Sequence, residues 1–356
     1  MSAALVRIPT IVLGGTGYVA GELLRLIAGH PQLELAGILS DSQPGEPVAK
    51  AFAHLAPVYP QTKFSSQAEI EQLVAQHPLS AIFSAAPHGA SAALIDRLLT
   101  VAEAAGTTPR VVDISADFRY STDVAYAAVY KHAHGAPARL PQFSCAVPEH
   151  LAQATTPHIA HPGCFATAIL LASVPLLKLG LVSPQLFVTG ITGSTGSGRK
   201  PSDGTHHPQR HSDLYAYNAL AHRHTPEVTA CALAASGVAA DFHFVPHSGP
   251  FARGIHVTVQ AQLHTPQAAA DLVAAFQQFY AHSPFVHVGA QAPRIKDVAG
   301  SAYARLSVAS NGRSVAVMSV IDNLNKGAAG GALQWMNRLL GLPETSGLTA
   351  PAAGWT

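Results

Sequence analysis

The chain has 356 residues, room for about two domains of roughly 100–200 residues each. Hydrophobic residues make up 48% of it and charged residues 12%, which supplies a large core and excludes a disordered or fibrous chain. Lys plus Arg number 21 against 20 Asp plus Glu, so no charge excess points to nucleic acid or a membrane surface as partner.

In chain order, Ile8–Leu13 reads as a strand, and after a Gly-rich turn Leu23, Leu24, Leu26 and Ile27 recur at helical spacing. Leu33–Leu39 reads as a second strand, Glu69–Gln76 as a helix, Ala81–Ala85 as a third strand, Ala90–Ala105 as a helix and Arg110–Ile114 as a fourth strand. This alternation predicts a Rossmann-like α/β parallel sheet with helices on both faces. Near residue 160 the texture changes. Pro162-Gly163 opens an apolar helix over Ala166–Leu179. Strands are predicted at Leu186–Ile191, Gly254–Leu263, Ala304–Ala309 and Val315–Ile321, and a helix at Ala268–Tyr280. Val257, Val259, Ala261 and Leu263 alternate with Thr258, Gln260 and Gln262, the pattern of a half-buried antiparallel strand. Lys326–Leu340 reads as a helix and the stretch from Pro343 as a loose tail. The expected layout is a Rossmann-like domain over residues 1–163, completed by a returning C-terminal helix within 323–356, and a second α+β domain with a mixed or antiparallel sheet over 164–322.

The early apolar run at residues 8–13 contains Pro9 and leads into glycines, unlike a secretory leader. No uninterrupted apolar run nears the roughly 18 residues of a membrane span. Three cysteines, Cys145, Cys164 and Cys231, suggest reduced thiols rather than a disulfide framework. A soluble cytoplasmic protein is expected.

Gly15-Thr16-Gly17-Tyr18-Val19-Ala20 fits G-x-G-x-x-G/A between a strand and a helix. Glycines there allow a tight turn and let backbone amides approach a pyrophosphate at the helix N-terminus. About 20 residues on, past the second strand, lies Ser40-Asp41-Ser42. Asp41 suits a ribose hydroxyl, whereas Ser40 and Ser42 suit a 2′-phosphate, so spacing alone leaves NAD and NADP open.

His161-Pro162-Gly163-Cys164-Phe165 stands at the start of the apolar helix. A thiol at a helix N-terminus meets partial positive charge and free amides, which favour the thiolate and an oxyanion formed from it. Cys164 is therefore the candidate nucleophile, and Cys145 and Cys231 are packing residues. Gly193-Ser194-Thr195-Gly196-Ser197-Gly198-Arg199-Lys200 is a donor-rich loop suited to phosphate, although it lacks the ending of a nucleotide P-loop. His206, His207 and His211 have neither a cysteine among them nor a helix presenting them together, so no metal is expected. His222 and His224 are better placed for proton transfer.

Taken together these segments resemble the N-acetyl-gamma-glutamyl-phosphate reductases, arginine-pathway relatives of aspartate-semialdehyde dehydrogenase. The resemblance spans about Ile11 to Leu348. It rests on Gly14-Gly15-Thr16-Gly17-Tyr18, Ala86-Pro87-His88-Gly89, Asp113-Ile114-Ser115-Ala116-Asp117-Phe118-Arg119 and Pro162-Gly163-Cys164. Gly196-Ser197-Gly198-Arg199-Lys200 and His222-Arg223-His224-Thr225-Pro226-Glu227 follow. Val245-Pro246-His247 with Arg253-Gly254-Ile255, and Asp322-Asn323-Leu324-Asn325-Lys326-Gly327, complete the series.

The resemblance implies reduction of N-acetyl-gamma-glutamyl phosphate to the 5-semialdehyde and phosphate, with NADP(H) as cofactor and a thioester on Cys164. It implies His222 as the acid–base partner that takes the thiol proton and later returns one. Arg119, Ser197, Arg199, Lys200, His224, Glu227, His247 and Arg253 are implied on the substrate and phosphate side. Gly14 to Val19, Ser40, Ser42 and the Pro87-His88-Gly89 loop are implied around the cofactor, with Asn323 and Gly327 closing its site. A homodimer or homotetramer with contacts in the second domain is implied as well.

Two motifs depart from the family. Where it has Asn-Pro-Gly-Cys-Tyr-Pro-Thr this chain has His161, Phe165 and Ala166, and where it has Tyr-Gly-Leu-Pro-Glu this chain has Ser144-Cys145-Ala146-Val147-Pro148-Glu149. Thr205-His206-His207-Pro208-Gln209-Arg210 is similar to a branch that reduces aminoadipyl phosphate borne on a small acidic carrier protein in lysine biosynthesis. That is the alternative substrate. A dinucleotide-binding protein without catalysis is the remaining alternative.

Overall fold

The computed structural model describes residues 7–354 and divides into two compact units. One comprises the chain up to Cys145 with Gln153–His161 and Ala329–Thr349; the other comprises Ala146–Ala152, Pro162–Ala328 and the chain from Ala350.

The first unit contains β1 (Ile8–Leu13), α1 (Tyr18–Ala28), β2 (Leu33–Ile38), the short α2 (Val48–Ala51) and α3 (Gln67–Gln76). It continues with β3 (Ala81–Ser84), α4 (Ser91–Ala105), β4 (Arg110–Asp113), α5 (Asp123–Tyr130), β5 (Phe143–Cys145) and β6 (His158–Ala160). All six strands run parallel in the order β2-β1-β3-β4-β6-β5. Every residue of β3 is buried, as befits a strand covered on both faces. The chain adds β2 on one side of β1 and β3 on the other. The crevice beyond the ends of β1 and β3 is thus the switch point at which open α/β sheets hold ligands. β5 and β6, three residues each, are too short for periodicity to have foretold them.

The second unit contains α6 (Cys164–Lys178), β7 (Gln185–Thr192), α7 (His207–Arg210), β8 (Tyr215–Ala216), α8 (Thr225–Ser236) and β9 (Asp241–Ser248). β10 (Ile255–Gln267), α9 (Ala269–Phe279), β11 (Val286–Gly289), β12 (Ala304–Ser310) and β13 (Gly312–Ile321) follow. Its seven strands form a mixed sheet in the order β11-β12-β13-β10-β7-β9-β8, with β10 antiparallel to both β7 and β13. The helix α6 is apolar on all sides because it is enclosed on all sides. It packs on β7, β10 and β13 and against α8, and every residue from Phe165 to Leu177 is buried. On β10 the alternation holds, with Val257, Val259, Ala261 and Leu263 buried.

A single π-turn, Asn325–Ala329, then leads into α10 (Gly330–Leu339), which packs on β4 and α1. The predicted helix over 326–340 is therefore two elements, π then α. The first part of the segment expected to be a loose tail, residues 343–348, is instead fastened, and residues 355–356 lie outside the described residues. Glu344 accepts hydrogen bonds from Gln334 Nε2 and Arg338 Nη2 at 2.6 Å each, Asn337 Nδ2 donates to Ser346 O at 2.9 Å, and Leu348 is buried.

Candidate active site

The glycines after β1 have distinct physical reasons. Gly14 has φ +75°, and a Cβ on it would lie 2.6 Å from the Ala85 carbonyl, so the loops after β1 and β3 touch at the switch point. A Cβ on Gly15 would strike Ile38 at 2.5 Å. Gly17, the N-cap of α1, has no side-chain cap, and a Cβ there would meet nothing nearer than Gly14 O at 3.9 Å. Packing thus explains Gly14 and Gly15, while Gly17 keeps open space before the first amides of α1. The turn that begins with Thr16 and passes into Tyr18 and Val19 fits the pyrophosphate of a dinucleotide. Ser40 is buried and its Oγ accepts from Gln43 N at 3.2 Å, while Ser42 is exposed.

The exposed Pro87-His88-Gly89 loop is braced from behind. Asp117 accepts from Gly89 N (2.8 Å), Ala92 N (2.9 Å) and the Tyr126 hydroxyl (3.0 Å). Asp113 accepts from the hydroxyls of Ser91 and Ser115, both at 2.8 Å. Burial, then the charge of Asp117, pushes the Asp113 carboxyl up to about 6. The Asp113-to-Asp117 motif therefore supports the loop. Arg119, expected at substrate, donates to backbone carbonyls, Nε to His161 O at 3.0 Å and Nη2 to Ile114 O at 2.8 Å, which fix the direction of its guanidinium.

In the second unit, Cys164 is the first residue of α6, half-buried, with Gly163 as an N-cap lacking a side-chain cap bond. It opens on a cavity of about 480 Å³ lined by Phe165, Thr192, Ser197, Tyr217, His222, Arg223, His224 and Ser248, among others. The N–H of Gly163 donates to Glu227 Oε1 at 2.6 Å. Glu227 is fully buried in the first turn of α8, and this contact fixes the turn before the nucleophile. Gly327 is pressed against the cysteine: a Cβ on it would lie 2.8 Å from Cys164 Cβ. The turn carrying Gly327 is anchored by Lys326, whose Nζ meets Glu149 Oε1 at 2.5 Å, both side chains being essentially inaccessible.

His222 is buried among the rings of Phe165, Tyr217, His224 and Phe244. Its Nδ1 accepts the backbone N–H of His224 at 3.2 Å. Burial, then the adjacent Arg223 charge, lowers its pKa to about 4. Tyr217 was not foreseen. Burial, then the proximity of Cys164, raises its hydroxyl pKa, so it stays protonated as a donor. Nothing marks Tyr217 in the sequence, since it follows a two-residue strand. Arg223 was also passed over, although it stands between the two chosen histidines.

Other predicted residues lie elsewhere. Arg199 and Lys200 are exposed and outside the cavity lining. Arg253 makes a two-pronged pair with buried Asp322, Nε to Oδ2 at 2.9 Å and Nη2 to Oδ1 at 3.1 Å. Asn323 joins two loops, accepting from Gly254 N at 2.7 Å and donating to Thr195 Oγ1 at 2.9 Å. Strand alternation sends His247 to the face of β9 opposite the cavity-lining Ser248. Cys231 is buried and Cys145 packs at the edge of the first unit's core. Among the described residues no group of His, Cys, Asp or Glu is placed to hold a metal ion.

Residues 10–134 match a family model described as the NAD binding domain of semialdehyde dehydrogenase, and residues 164–323 match its dimerisation domain. The chain is 39% identical to N-acetyl-gamma-glutamyl-phosphate reductase of Ectopseudomonas mendocina, covering 96% of this chain and 98% of that one. It is 38% identical to the reductase of the same name from Nitrosococcus oceani, over 95% and 96%. In fold it is similar to aspartate semialdehyde dehydrogenase II of Vibrio cholerae crystallised with ASA, with a TM-score of 0.67 at 16% identity over 94% and 98%.

Proposed function

The chain belongs to the N-acetyl-gamma-glutamyl-phosphate reductase family, and from that premise we propose that it reduces N-acetyl-gamma-glutamyl phosphate to N-acetylglutamate 5-semialdehyde and phosphate, with NADPH, in arginine biosynthesis. The observation that carries this reading is Cys164, set at the start of a buried helix and opening on a cavity walled by two imidazoles, a guanidinium and hydroxyls.

The Cys164 sulfur attacks the acyl carbon, the carbon–oxygen bond to phosphate breaks, and a thioester forms. The amides at the start of α6 and the Tyr217 hydroxyl are donors suited to the oxyanion that precedes it. The predicted Ser197 and the neighbouring Arg223 line the cavity where they can hold the departing phosphate. The thiol proton passes to an imidazole of the same wall, a transfer generally worth about 10²–10⁴ in rate. The Gly14–Gly17 turn and the Pro87–Gly89 loop would hold a nicotinamide dinucleotide, which would supply the hydride that lowers the acyl carbon to the aldehyde level. The carbon–sulfur bond then breaks to free the aldehyde, and the imidazole returns its proton to the Cys164 sulfur. Covalent capture replaces one difficult displacement by two easier steps.

The substrate is a small molecule, and the working form is a homo-oligomer in the cytoplasm. Half-exposed Phe187 on the open face of the second sheet, and the dimerisation description of the matching model, support the assembly. No helix among the described residues is long and apolar enough to cross a membrane.

The test runs the reaction in reverse with N-acetylglutamate semialdehyde, NADP⁺ and inorganic phosphate. Phosphate-dependent NADPH formation, abolished in Cys164→Ser while cofactor binding persists, is expected. A folded, cofactor-binding enzyme that is silent here but active on carrier-bound aminoadipate semialdehyde would overturn the substrate.

A further inference from the structure

We infer that Tyr280 is a positioning residue for Cys164: its buried hydroxyl joins the middle of α6 to the turn that presses on the cysteine, so that helix and turn hold one register around the sulfur. This rests on the acyl-phosphate reading above, in which Cys164 is the nucleophile.

A proline creates the need. The helix α6 runs from Cys164 to Lys178 with Pro175 inside it. In a helix the carbonyl of residue 171 accepts from the N–H of residue 175, and proline has none. Leu171 O therefore loses its helical donor in a fully buried stretch, where an unpaired carbonyl is costly. The Tyr280 hydroxyl replaces that donor at 2.7 Å. Tyr280 stands just past the end of α9 and is buried, and burial, then the Glu149 charge, raises its phenol well above the ordinary value.

That one bond orders the next contacts. A phenol has a single hydrogen, and Leu171 O takes it. His150 Nε2, 2.9 Å from the same oxygen, must then be the donor. The His150 Nδ1 is buried with no hydrogen-bond partner, so a second proton there would meet no acceptor. Burial, with Glu149, Lys326 and Lys178 as the nearby charges, accordingly lowers this imidazole to about 4, and the ring is neutral. His150 shares a single short turn, Pro148–His150, with Glu149. Glu149 in turn holds Lys326, whose Nζ lies 5.7 Å from the centre of the Phe285 ring. The following residue is Gly327, packed on Cys164. The path leaves α6 about two turns past the cysteine and returns to it at the cysteine itself.

None of Tyr280, His150, Glu149 and Lys326 lines the cavity, so the path acts through Gly327 and the start of α6. A sulfur held against the first amides of a helix is favoured as thiolate, and a small displacement of a reacting atom lowers turnover more than it lowers affinity.

Tyr280→Phe keeps the ring and removes the hydroxyl. Its kcat in the reverse assay should fall about tenfold with KM for the semialdehyde nearly unchanged. The pH midpoint for iodoacetamide alkylation of Cys164, followed on its own peptide by mass spectrometry, should rise by about half a pH unit. Pro175→Ala/Tyr280→Phe separates positioning from support, because residue 175 then offers Leu171 O its own N–H. The melting temperature should return towards the parent's while kcat and the alkylation midpoint stay displaced. A Tyr280→Phe enzyme that only melts lower, with the parent's kcat and alkylation midpoint, would overturn the inference. So would recovery of kcat and midpoint along with melting temperature in the double variant, which also carries the test if Tyr280→Phe alone does not fold. Alkylation needs no substrate, so a parent enzyme inert with N-acetylglutamate semialdehyde would remove the substrate reading while the alkylation midpoints still decided the positioning.

Discussion

Gly327→Ala puts the close packing against the nucleophile to the test. On helix propensity alone the change should stabilise the turn by about 1 kcal/mol. The new Cβ, however, would sit 2.8 Å from Cys164 Cβ, 3.1 Å from its Cα and 3.2 Å from Ile321 Cδ1. Carbon pairs are comfortable at about 3.5–4.0 Å, so the overlap is at least about 0.7 Å. One side must move. The turn is fastened by the buried Lys326–Glu149 pair and by Gly327 N–H donating to Asp322 O at 2.9 Å, so the start of α6 yields. Overpacking of this kind costs about 1–3 kcal/mol, leaving a net loss of roughly 0–2 kcal/mol. Moving the sulfur by something on the order of 0.5–1 Å should lower kcat by about 10–100-fold. The assay is reverse-direction kcat and KM, with melting temperature and NADPH affinity measured on the same sample. A folded variant with the parent's kcat would refute the reasoning.

Gly17→Ala tests the other use of glycine: its Cβ enters open space, so melting and alkylation of Cys164 should be unchanged while NADPH affinity, by fluorescence titration, falls about tenfold or more, about 1.4 kcal/mol. Lys326→Met leaves the Glu149 carboxylate buried without its cation and should cost about 3–5 kcal/mol in denaturant unfolding, with much of it recovered in Lys326→Met/Glu149→Leu. Acid should destabilise the fold. Burial holds His150, His158 and His222 each down to about 4, against 6.5 when unfolded, so between those values the unfolded chain binds more protons and stability falls as pH falls. Asp113, pushed up to about 6, acts in the opposite direction, being protonated in the fold before it is in the unfolded chain. Three groups against one predict a melting temperature that drops on acidification from about pH 7 to pH 5; a flat or rising profile would contradict the burial of these rings.

The sequence by itself determined the strands and helices whose apolar spacing is regular, the turn after β1, and Cys164 at a helix start, because each signal is local. It also offered His222 and His224, since a pair of imidazoles beside a proline-started helix stands out in the chain. Tertiary structure decided what those residues do. Glu227 and Gly163 lie far apart in sequence, and only the packing of α8 on α6 sets the Glu227 carboxylate against the turn before the nucleophile. The resemblance implied Arg253 on the substrate side, and the fold sets Asp322 against it. Strand parity sends His247 to one face of β9 and Ser248 to the cavity, and no composition or spacing rule distinguishes them until the sheet's covered face is known. Tyr217 becomes a site residue through the pairing of β8 with β9, which brings it beside Cys164. Local propensity writes elements and turns into the chain; which side chains share a cavity depends on contacts between distant segments, and those exist only once the core has closed.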